Sequence, residues 1–197
     1  QNFTTSYITT NADRVYSVYY ADLNGDGNMD VLSASAYDNS VRWYENNNSD
    51  NFTSHRITSG TIYPQHVYAA DLDSDGDKDV LVASSKDNKI SWYENDGLGN
   101  FTSHVITTNA DQARSPFAID IDGDGDNDVI SASNLDNKVA WYENDGYEYF
   151  TSHTIDTNAI YATTVYAIDL DKDGDIDVLS ANQGDNSISW YENDIIP

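Results

Sequence analysis

The chain contains no cysteine, three prolines, one methionine and few cationic side chains among its 197 residues. The absence of cysteine excludes disulfides, thiol nucleophiles and cysteinyl zinc sites. Nine lysines and arginines stand against 34 aspartates and glutamates, which gives a formal net charge of −25. Electrostatic binding of nucleic acid needs a basic stripe, so no nucleic-acid partner is expected. Anionic membrane surfaces are disfavoured for the same reason.

Long apolar runs are also missing, and none approaches the ~18 residues that would span a bilayer, so we expect no membrane insertion. Disorder is the usual interpretation of so acidic a chain, but an aromatic content of 12%, with 15 tyrosines, argues against it. The chain opens at Gln1 rather than Met. We therefore expect a mature or trimmed chain from which any signal peptide has been removed.

A period of 49 residues organises the sequence. It separates the four tryptophans, Trp43, Trp92, Trp141 and Trp190. Residues 52–100 and 101–149 are identical at 25 of 49 positions without a gap. Such periodicity indicates a repeat architecture, so we predict a single domain over 1–197. Its four units are 3–51, 52–100, 101–149 and 150–197.

Every unit has the residue pattern of β-structure. In the third unit, runs rich in β-branched and aromatic residues at 116–121, 129–133, 138–143 and 150–155 alternate with Asp, Asn and Gly clusters. Four strands in a unit of this length are typical of a β-propeller blade. The fold class is therefore predicted as an all-β propeller with four four-stranded blades in the chain.

The phase of the repeat predicts how the blades close. The segment Phe3–Ile8 is equivalent to the fourth strand of each unit, and the last unit ends at the equivalent of the third strand, Trp190-Tyr191-Glu192. We expect the first segment to complete the last blade and so remove open strand edges. Two rings fit: four blades in one chain, or half of an eight-bladed ring closed by a homodimer.

The connection between the first two strands of each unit, here called loops 1 to 4, alternates acidic and other residues over nine positions. The four loops hold 18 aspartates, which would repel one another unless a cation joined them. Calcium takes about six to eight oxygens. Loop positions 1, 3, 5 and 9 would supply side-chain oxygens, position 7 a backbone carbonyl, and the glycine at position 6 a sharp bend.

Four calcium sites are therefore predicted, because magnesium prefers fewer protein ligands in stricter geometry. Solvated turns are the alternative, and an EF-hand fits poorly because position 12 carries Ser or Val instead of Glu. The predicted metal residues are Asp22, Asn24, Asp26, Asn28 and Asp30 in loop 1, Asp71, Asp73, Asp75, Asp77 and Asp79 in loop 2, Asp120, Asp122, Asp124, Asp126 and Asp128 in loop 3, and Asp169, Asp171, Asp173, Asp175 and Asp177 in loop 4.

The pattern D-x-[DN]-x-D-G-x-x-D after a short apolar strand, with W-Y-E-N downstream, resembles the FG-GAP (VCBS-type) repeats over essentially the whole chain. These repeats build the integrin alpha-chain propeller, fungal propeller lectins and many secreted bacterial proteins. The resemblance implies a calcium-stabilised propeller for extracellular adhesion or carbohydrate binding, secreted or at the cell surface. This chain departs from the family in having four blades where rings commonly have seven, and in having Asn at positions 3 and 7 of loop 1.

Residues repeated in every unit are expected to be structural. The tryptophans should pack between blades, and the glutamates of W-Y-E-N should be hydrogen-bonding fixtures of the third strand. The histidines His55, His104 and His153 recur in the fourth strand and are too dispersed to form one site.

Residues that break the repeat are the candidates for an asymmetric ligand site. They lie in the connections between the fourth and first strands, which we expect on the face opposite the calcium loops. The candidate ligand residues are Arg14, Tyr16, Tyr63, His66, Arg114 and Tyr161. Tyr and Arg are enriched at binding hot spots, and the two arginines favour a carboxylated or sulfated glycan. Neutral drift in surface loops is the alternative.

Enzyme signatures such as H-E-x-x-H and G-x-S-x-G are missing, so the chain is not predicted to be an enzyme. The predicted function is a secreted calcium-binding module for adhesion, with carbohydrate or an extracellular protein as partner. The alternatives are a structural or assembly subunit of an extracellular array and, third in order, a propeller polysaccharide lyase.

Overall fold

A computed structural model describes residues 2–48 and 51–194. Their regular structure consists of strands, and they include no helix that could cross a membrane. The strands are β1 (Val15–Ala21), β2 (Asp30–Ser35), β3 (Ser40–Asn46), β4 (Phe52–Thr58), β5 (Pro64–Ala70), β6 (Asp79–Ser84), β7 (Lys89–Asn95), β8 (Phe101–Thr107), β9 (Ala113–Ile119), β10 (Asp128–Ser133), β11 (Lys138–Asn144), β12 (Phe150–Asp156), β13 (Ala162–Ile168), β14 (Asp177–Asn182) and β15 (Ser187–Tyr191).

Four antiparallel sheets follow the chain order, and each corresponds to one sequence unit. Sheets 1 to 3 contain β1–β4, β5–β8 and β9–β12, and sheet 4 contains β13–β15. The repeat also sets the strand register, since the tryptophan of the third strand faces the histidine of the fourth in sheets 1, 2 and 3. The predicted strands of the third unit are confirmed, except that β9 runs from Ala113 to Ile119 rather than over 116–121. It begins earlier because Ala113 pairs with Ser133 beyond a register shift.

Consecutive sheets pack face to face through three apolar cores of similar composition. Between sheets 1 and 2, Leu32, Val41 and Trp43 contact a group that includes Val67 and Val80. The cores between sheets 2 and 3 and between sheets 3 and 4 repeat this arrangement. We call the side of a sheet that packs onto the next sheet its forward face, and the side that receives the previous sheet its rear face.

The ends of the stack differ from the prediction. Extensive strand contacts join only consecutive sheets of the described residues. The expectation that Phe3–Ile8 completes the last blade is wrong within a single chain, because residues 3–8 form no strand and sheet 4 has three strands. Sheets 2 and 3 separate this segment from β15. Residues 6–9 instead line a pocket on the rear face of sheet 1 with Val18 and Val31.

Candidate metal centres and ligand site

The acidic loops are shaped by hydrogen bonds from their own backbone to their carboxylates. In loop 3, Asp120 accepts the N–H groups of Gly123 and Gly125 at 2.7 and 3.0 Å, and Asp122 accepts that of Asp124 at 3.2 Å. Loop 1 repeats these bonds through Asp22 and Asn24. The glycine at position 6 has a φ between 85° and 109° in all four loops, a region that favours glycine, so the predicted bend is confirmed.

The aspartate at position 9 has a second role that the sequence pattern does not reveal. Asp79 accepts the N–H of Leu72 at the start of its loop, at 2.8 Å, and the N–H of Asn95 at the end of β7, at 2.9 Å. Asp30, Asp128 and Asp177 make the equivalent pairs of bonds. Each of these carboxylates therefore ties its loop to the third strand of the same sheet.

Burial raises the pKa of the position 9 aspartate in loops 1, 2 and 3. Desolvation raises the pKa of Asp79 to about 7 and that of Asp128 to about 6, although two backbone N–H groups oppose the shift in each case. In the more open loop 4, desolvation also raises the pKa of Asp177, but hydrogen bonds from Asn193 and Leu170 outweigh it and the net shift is downward. Loops 2 and 3 thus hold buried carboxylates that lack compensating positive charge.

The donor set in three loops fits a hard cation. Carboxylate oxygens lie within 4.8 Å of one another in three groups, Asp71, Asp73 and Asp79, then Asp120, Asp122 and Asp128, then Asp169, Asp171 and Asp173. Asp71 Oδ1 is also buried with no hydrogen-bond partner among the described residues. A buried, unpaired carboxylate oxygen is costly, and a cation is a ligand that would satisfy it.

The side chain at position 7 of loops 2 and 3 contacts a neighbouring turn. A Cβ placed on Gly97 would lie 2.3 Å from Asp77 Oδ2, and one on Gly146 would lie 2.4 Å from Asp126 Oδ2. These carboxylates therefore lie against the turn between the third and fourth strands of their own sheet. The prediction that position 7 offers a backbone carbonyl stays a prediction, and this placement of the side chains is compatible with it.

Loop 1 is expected to be the weakest calcium site. Its position 3 is Asn24, and among the described residues loop 1 forms no group of three converging carboxylates. Calcium affinity follows the number of charged ligands. Asn24→Asp should therefore tighten the weakest step of a calorimetric calcium titration by about tenfold. The matched change Asp73→Asn in loop 2 should create a second weak step, and an unaltered weakest step in Asn24→Asp would contradict this ranking.

The repeated W-Y-E-N residues are structural fixtures, as predicted. His55, His104 and His153 each stack on the tryptophan of the neighbouring strand with ring centroids 4.5 Å apart. The far nitrogen of each ring contacts the glutamate of the same unit at 2.7–2.9 Å. Each of sheets 1 to 3 thus carries the same Trp–His–Glu arrangement on its third and fourth strands.

On the side of the stack away from the acidic loops, three predicted ligand residues come together. Arg14, Tyr16 and Tyr63 meet where the connection into β1 approaches the connection into β5. The hydroxyls of the two tyrosines are 3.2 Å apart, and the Arg14 guanidinium lies 5.3 Å from the ring centroid of Tyr16. The hydrogen bond from the Tyr63 hydroxyl, followed by the field of Arg14, lowers the pKa of Tyr16.

Sequence reasoning missed two members of this group. The Arg14 guanidinium lies 4.5 Å from the ring centroid of Tyr37 and donates a hydrogen bond to its hydroxyl. The Lys86 ammonium lies 4.4 Å from the ring centroid of Tyr63. The two missed residues occupy the same repeat position, where the third and fourth units have Leu135 and Gly184. This break in the repeat is the signal that could have identified them. We call Arg14, Tyr16, Tyr37, Tyr63 and Lys86 the tyrosine–arginine cluster.

The fold holds the backbone of the cluster in an unusual conformation. Arg14 and Tyr63 have φ values of 57° and 62°, and their equivalents Gln112 and Tyr161 have 52° and 53°. The Tyr63 N–H donates to Asn39 Oδ1 in the turn of the preceding sheet at 2.9 Å. These connections therefore share a face with the Asp-Asn turns, as predicted, and lie away from the acidic loops.

The other three predicted ligand residues lie outside the cluster. The Arg114 guanidinium donates to Gln65 across sheets 2 and 3. His66 lies in β5, where burial lowers its pKa and leaves Nδ1 without a partner among the described residues. Tyr161 immediately precedes β13 and packs near Gly184. The six candidates therefore do not form one site.

These repeats define the class of the protein. Residues 22–82, 71–131 and 120–180 match the model of the FG-GAP-like repeat. The chain belongs to this family, which confirms the resemblance seen in the sequence. None of the curated proteins compared with the chain matches it significantly in sequence.

Solved structures confirm the propeller-like fold. An Agrocybe aegerita lectin, described as recognising non-reducing terminal N-acetylglucosamine, matches with a TM-score of 0.58 and 20% identity over 89% of this chain and 52% of its own. An auxiliary nutrient binding protein from Bacteroides thetaiotaomicron matches with a TM-score of 0.62 and 9% identity over 90% and 48%. The V. cholerae biofilm matrix protein Bap1 matches with a TM-score of 0.55 and 21% identity, over 97% of this chain and 33% of Bap1. The chain thus spans about half the length of the first two.

Proposed function

We propose that the chain is a secreted, calcium-binding module that binds an anionic carbohydrate through the tyrosine–arginine cluster. The observation that carries the proposal is the convergence of three tyrosines and two cations from two sheets on one face. Tyr16 and Tyr37 keep 43% and 56% of their surface exposed, so their rings are open to a ligand. The similarity to a lectin and to nutrient-binding proteins supports a binding role.

The chemistry of the cluster favours a sugar that carries carboxylate or sulfate. Aromatic rings offer flat apolar surface to the sugar ring, and tyrosine hydroxyls exchange hydrogen bonds with its hydroxyls. Arg14 and Lys86 offer positive charge within a chain whose net charge is −25. An anionic group therefore finds its favourable potential at this place rather than over the acidic loops.

Calcium would be held by the loop oxygens described above, chiefly those at positions 1, 3 and 9 in loops 2 and 3 and those of Asp169, Asp171 and Asp173 in loop 4. The ion would supply the positive charge that these carboxylates lack, and so keep the loops closed. Sites of this kind fill where calcium is abundant, which is the reason for proposing an extracellular location. A binding role without catalysis remains part of the proposal.

Two substitutions test the ligand site while preserving the fold. Arg14→Gln introduces the residue that the third unit has at the equivalent position with nearly the same φ, and Tyr37→Ala removes an exposed ring. We expect each to weaken binding to uronate- or sulfate-bearing oligosaccharides, found in a glycan screen and measured by calorimetry, by tenfold or more, as is typical for the loss of a hot-spot residue.

Leu135→Ala is the matched control, because Leu135 occupies the repeat position of Tyr37 in the third unit and is also exposed. It should leave binding unchanged. Full affinity in both cluster variants, with unchanged melting temperatures, would show that the ligand binds elsewhere.

A further inference from the structure

The forward face of sheet 4 has the residues of a buried interface, but none of the sheets formed by residues 2–48 and 51–194 packs on it. Ile188 is 85% exposed, whereas its equivalents Val41, Ile90 and Val139 are all 0% exposed. Trp190 is 47% exposed, whereas Trp92 is 1% exposed. Leu179 and Ala181 continue the same apolar surface, in the places of Leu32 and Ala34. This face therefore matches the side that sheets 1, 2 and 3 each bury against a following sheet.

The rear face of sheet 1 is the complementary surface. Val18 is 66% exposed, whereas its equivalent Val67 is 0% exposed in the core between sheets 1 and 2. Val31, Ser33 and Tyr44 occupy the places of Val80, Val82 and Tyr93 in that core. Two positions of this surface are enlarged: Tyr20, where the other sheets have alanine, and Val15, where sheets 3 and 4 have alanine.

Two hydrogen bonds recur wherever consecutive sheets meet, and within the described part of the chain neither is formed at the free ends of the stack, sheets 1 and 4. Asn39, Asn88 and Asn137 each accept an N–H from the connection that enters the next sheet, at 2.9–3.1 Å. If another sheet 1 followed sheet 4 in the same arrangement, Asn186 would accept the N–H of the Arg14 that precedes that sheet. Asn95, Asn144 and Asn193 each donate to a carbonyl in the loop of the previous sheet, at 2.7–3.3 Å. If another sheet 4 preceded sheet 1 in the same arrangement, Asn46 would donate to the carbonyl of Leu170 in the loop of that sheet.

A strand and an open edge complete this complementarity. β15 has no fourth strand beside it among the described residues, whereas β3, β7 and β11 each have one. Residues 3–9, Phe-Thr-Thr-Ser-Tyr-Ile-Thr, repeat the pattern of β4, β8 and β12. The pairing of Trp43 with His55 predicts that Trp190 faces Ser6 and that Tyr191 faces Thr5. Within one chain the segment cannot make this pairing, because it lies on sheet 1 at the other end of the stack.

We propose that two copies of this chain join head to tail, with the forward face of sheet 4 of each copy on the rear face of sheet 1 of the other, and residues 3–9 as the fourth strand beside the partner's β15. Moving residues 6–9 from the rear face of sheet 1 clears the surface that the second copy needs. The interface forms twice and closes eight sheets into one ring, which satisfies both open ends at once.

Charge makes this association depend on salt. Each chain carries a net charge of −25, so two copies repel one another at low ionic strength. Screening shortens that repulsion to about 8 Å at physiological salt, while apolar contacts and strand pairing persist. The dimer should therefore strengthen as salt is added in the presence of calcium.

Solution mass measures the association directly. In calcium and 0.15 M salt we expect the chain to sediment at about twice its mass of 21.9 kDa, with a monomer appearing on dilution. Ile188→Asp should convert it to a monomer with an unchanged melting profile of the single chain, because the side chain is exposed there. Val105→Asp is the control: Val105 is also an exposed β-branched strand residue, at 55%, but lies outside both faces. A monomer at 100 µM chain, which would leave both faces to a different partner, overturns the proposal, and so does an open series of larger polymers.

Engineered cysteines test the strand exchange, since the chain has no thiol of its own. A mixture of Ser6→Cys and Trp190→Cys chains, incubated and then oxidised, should give a disulfide-linked dimer that contains one chain of each type. A mixture of Tyr7→Cys and Trp190→Cys should not, because alternate residues of a strand point to opposite faces of the sheet. Equal cross-linking in both mixtures, or none in the first, would contradict the proposed register.

Discussion

Removal of calcium is expected to lower the melting temperature of the protein by roughly 20 °C or more. A ligand at 100 times its dissociation constant stabilises the native state by about 2.7 kcal/mol per site. Four such sites give on the order of 10 kcal/mol, and each kcal/mol moves the midpoint by about 2–4 °C for a chain of this size. Thermal melting followed by circular dichroism, with calcium and with an excess of chelator, measures the difference.

The loops explain why the effect should be large. Without a cation, 18 aspartates remain at short range in four loops, and Asp71 Oδ1 remains buried without a partner. The loops also connect the first two strands of every sheet, so their repulsion acts on all four sheets together. Loss of calcium should therefore affect one cooperative transition rather than a local segment.

Two controls separate binding from simple screening. Sodium chloride at the same ionic strength should restore only a small part of the stability, because it screens exposed charges but does not coordinate buried oxygens. Magnesium should restore less than calcium, since it keeps its waters and demands octahedral geometry. An identical melt with calcium and with chelator would refute calcium as part of the fold.

The repeat made most of the fold predictable from the sequence. The spacing of Trp43, Trp92 and Trp141 defines the units, and those residues occupy the same strand in three successive sheets. The glycine of each acidic loop was also predictable, because alternation of Asp around one Gly has few other structural uses. Patterns of this kind are local, so they survive without knowledge of tertiary contacts.

Contacts between distant segments were not predictable in the same way. The ligand cluster needed Tyr37, which meets Arg14 within sheet 1, and Lys86, which meets Tyr63 within sheet 2. The two halves of the cluster come together only when sheets 1 and 2 pack. The closure of Phe3–Ile8 onto the last blade failed for a related reason. A repeat pattern specifies which surfaces are complementary, but it does not specify whether one chain curves enough to bring its ends together.

The aspartate at position 9 is both a predicted calcium ligand and the acceptor of two backbone N–H groups, so its removal should have a large effect on stability. Asp79→Ala should destabilise the protein by about 3–5 kcal/mol even without calcium. The change leaves the N–H groups of Leu72 and Asn95 without their acceptor in a buried place, and each buried donor left unsatisfied costs about 1–3 kcal/mol. Urea unfolding in chelator, followed by tryptophan fluorescence, gives the free energy of unfolding.

Asp75→Asn in the same loop is the matched control. Asp75 is exposed, and the oxygen that accepts the N–H of Asp77 at 2.8 Å can be supplied by an asparagine amide. This variant should lose stability only in calcium, because it removes a charged ligand and no backbone hydrogen bond. Asp79→Ala should lose stability under both conditions. If the two variants unfold at the same urea concentration in chelator, the position 9 carboxylate acts through the metal alone, and the tie between loop and third strand contributes nothing of its own.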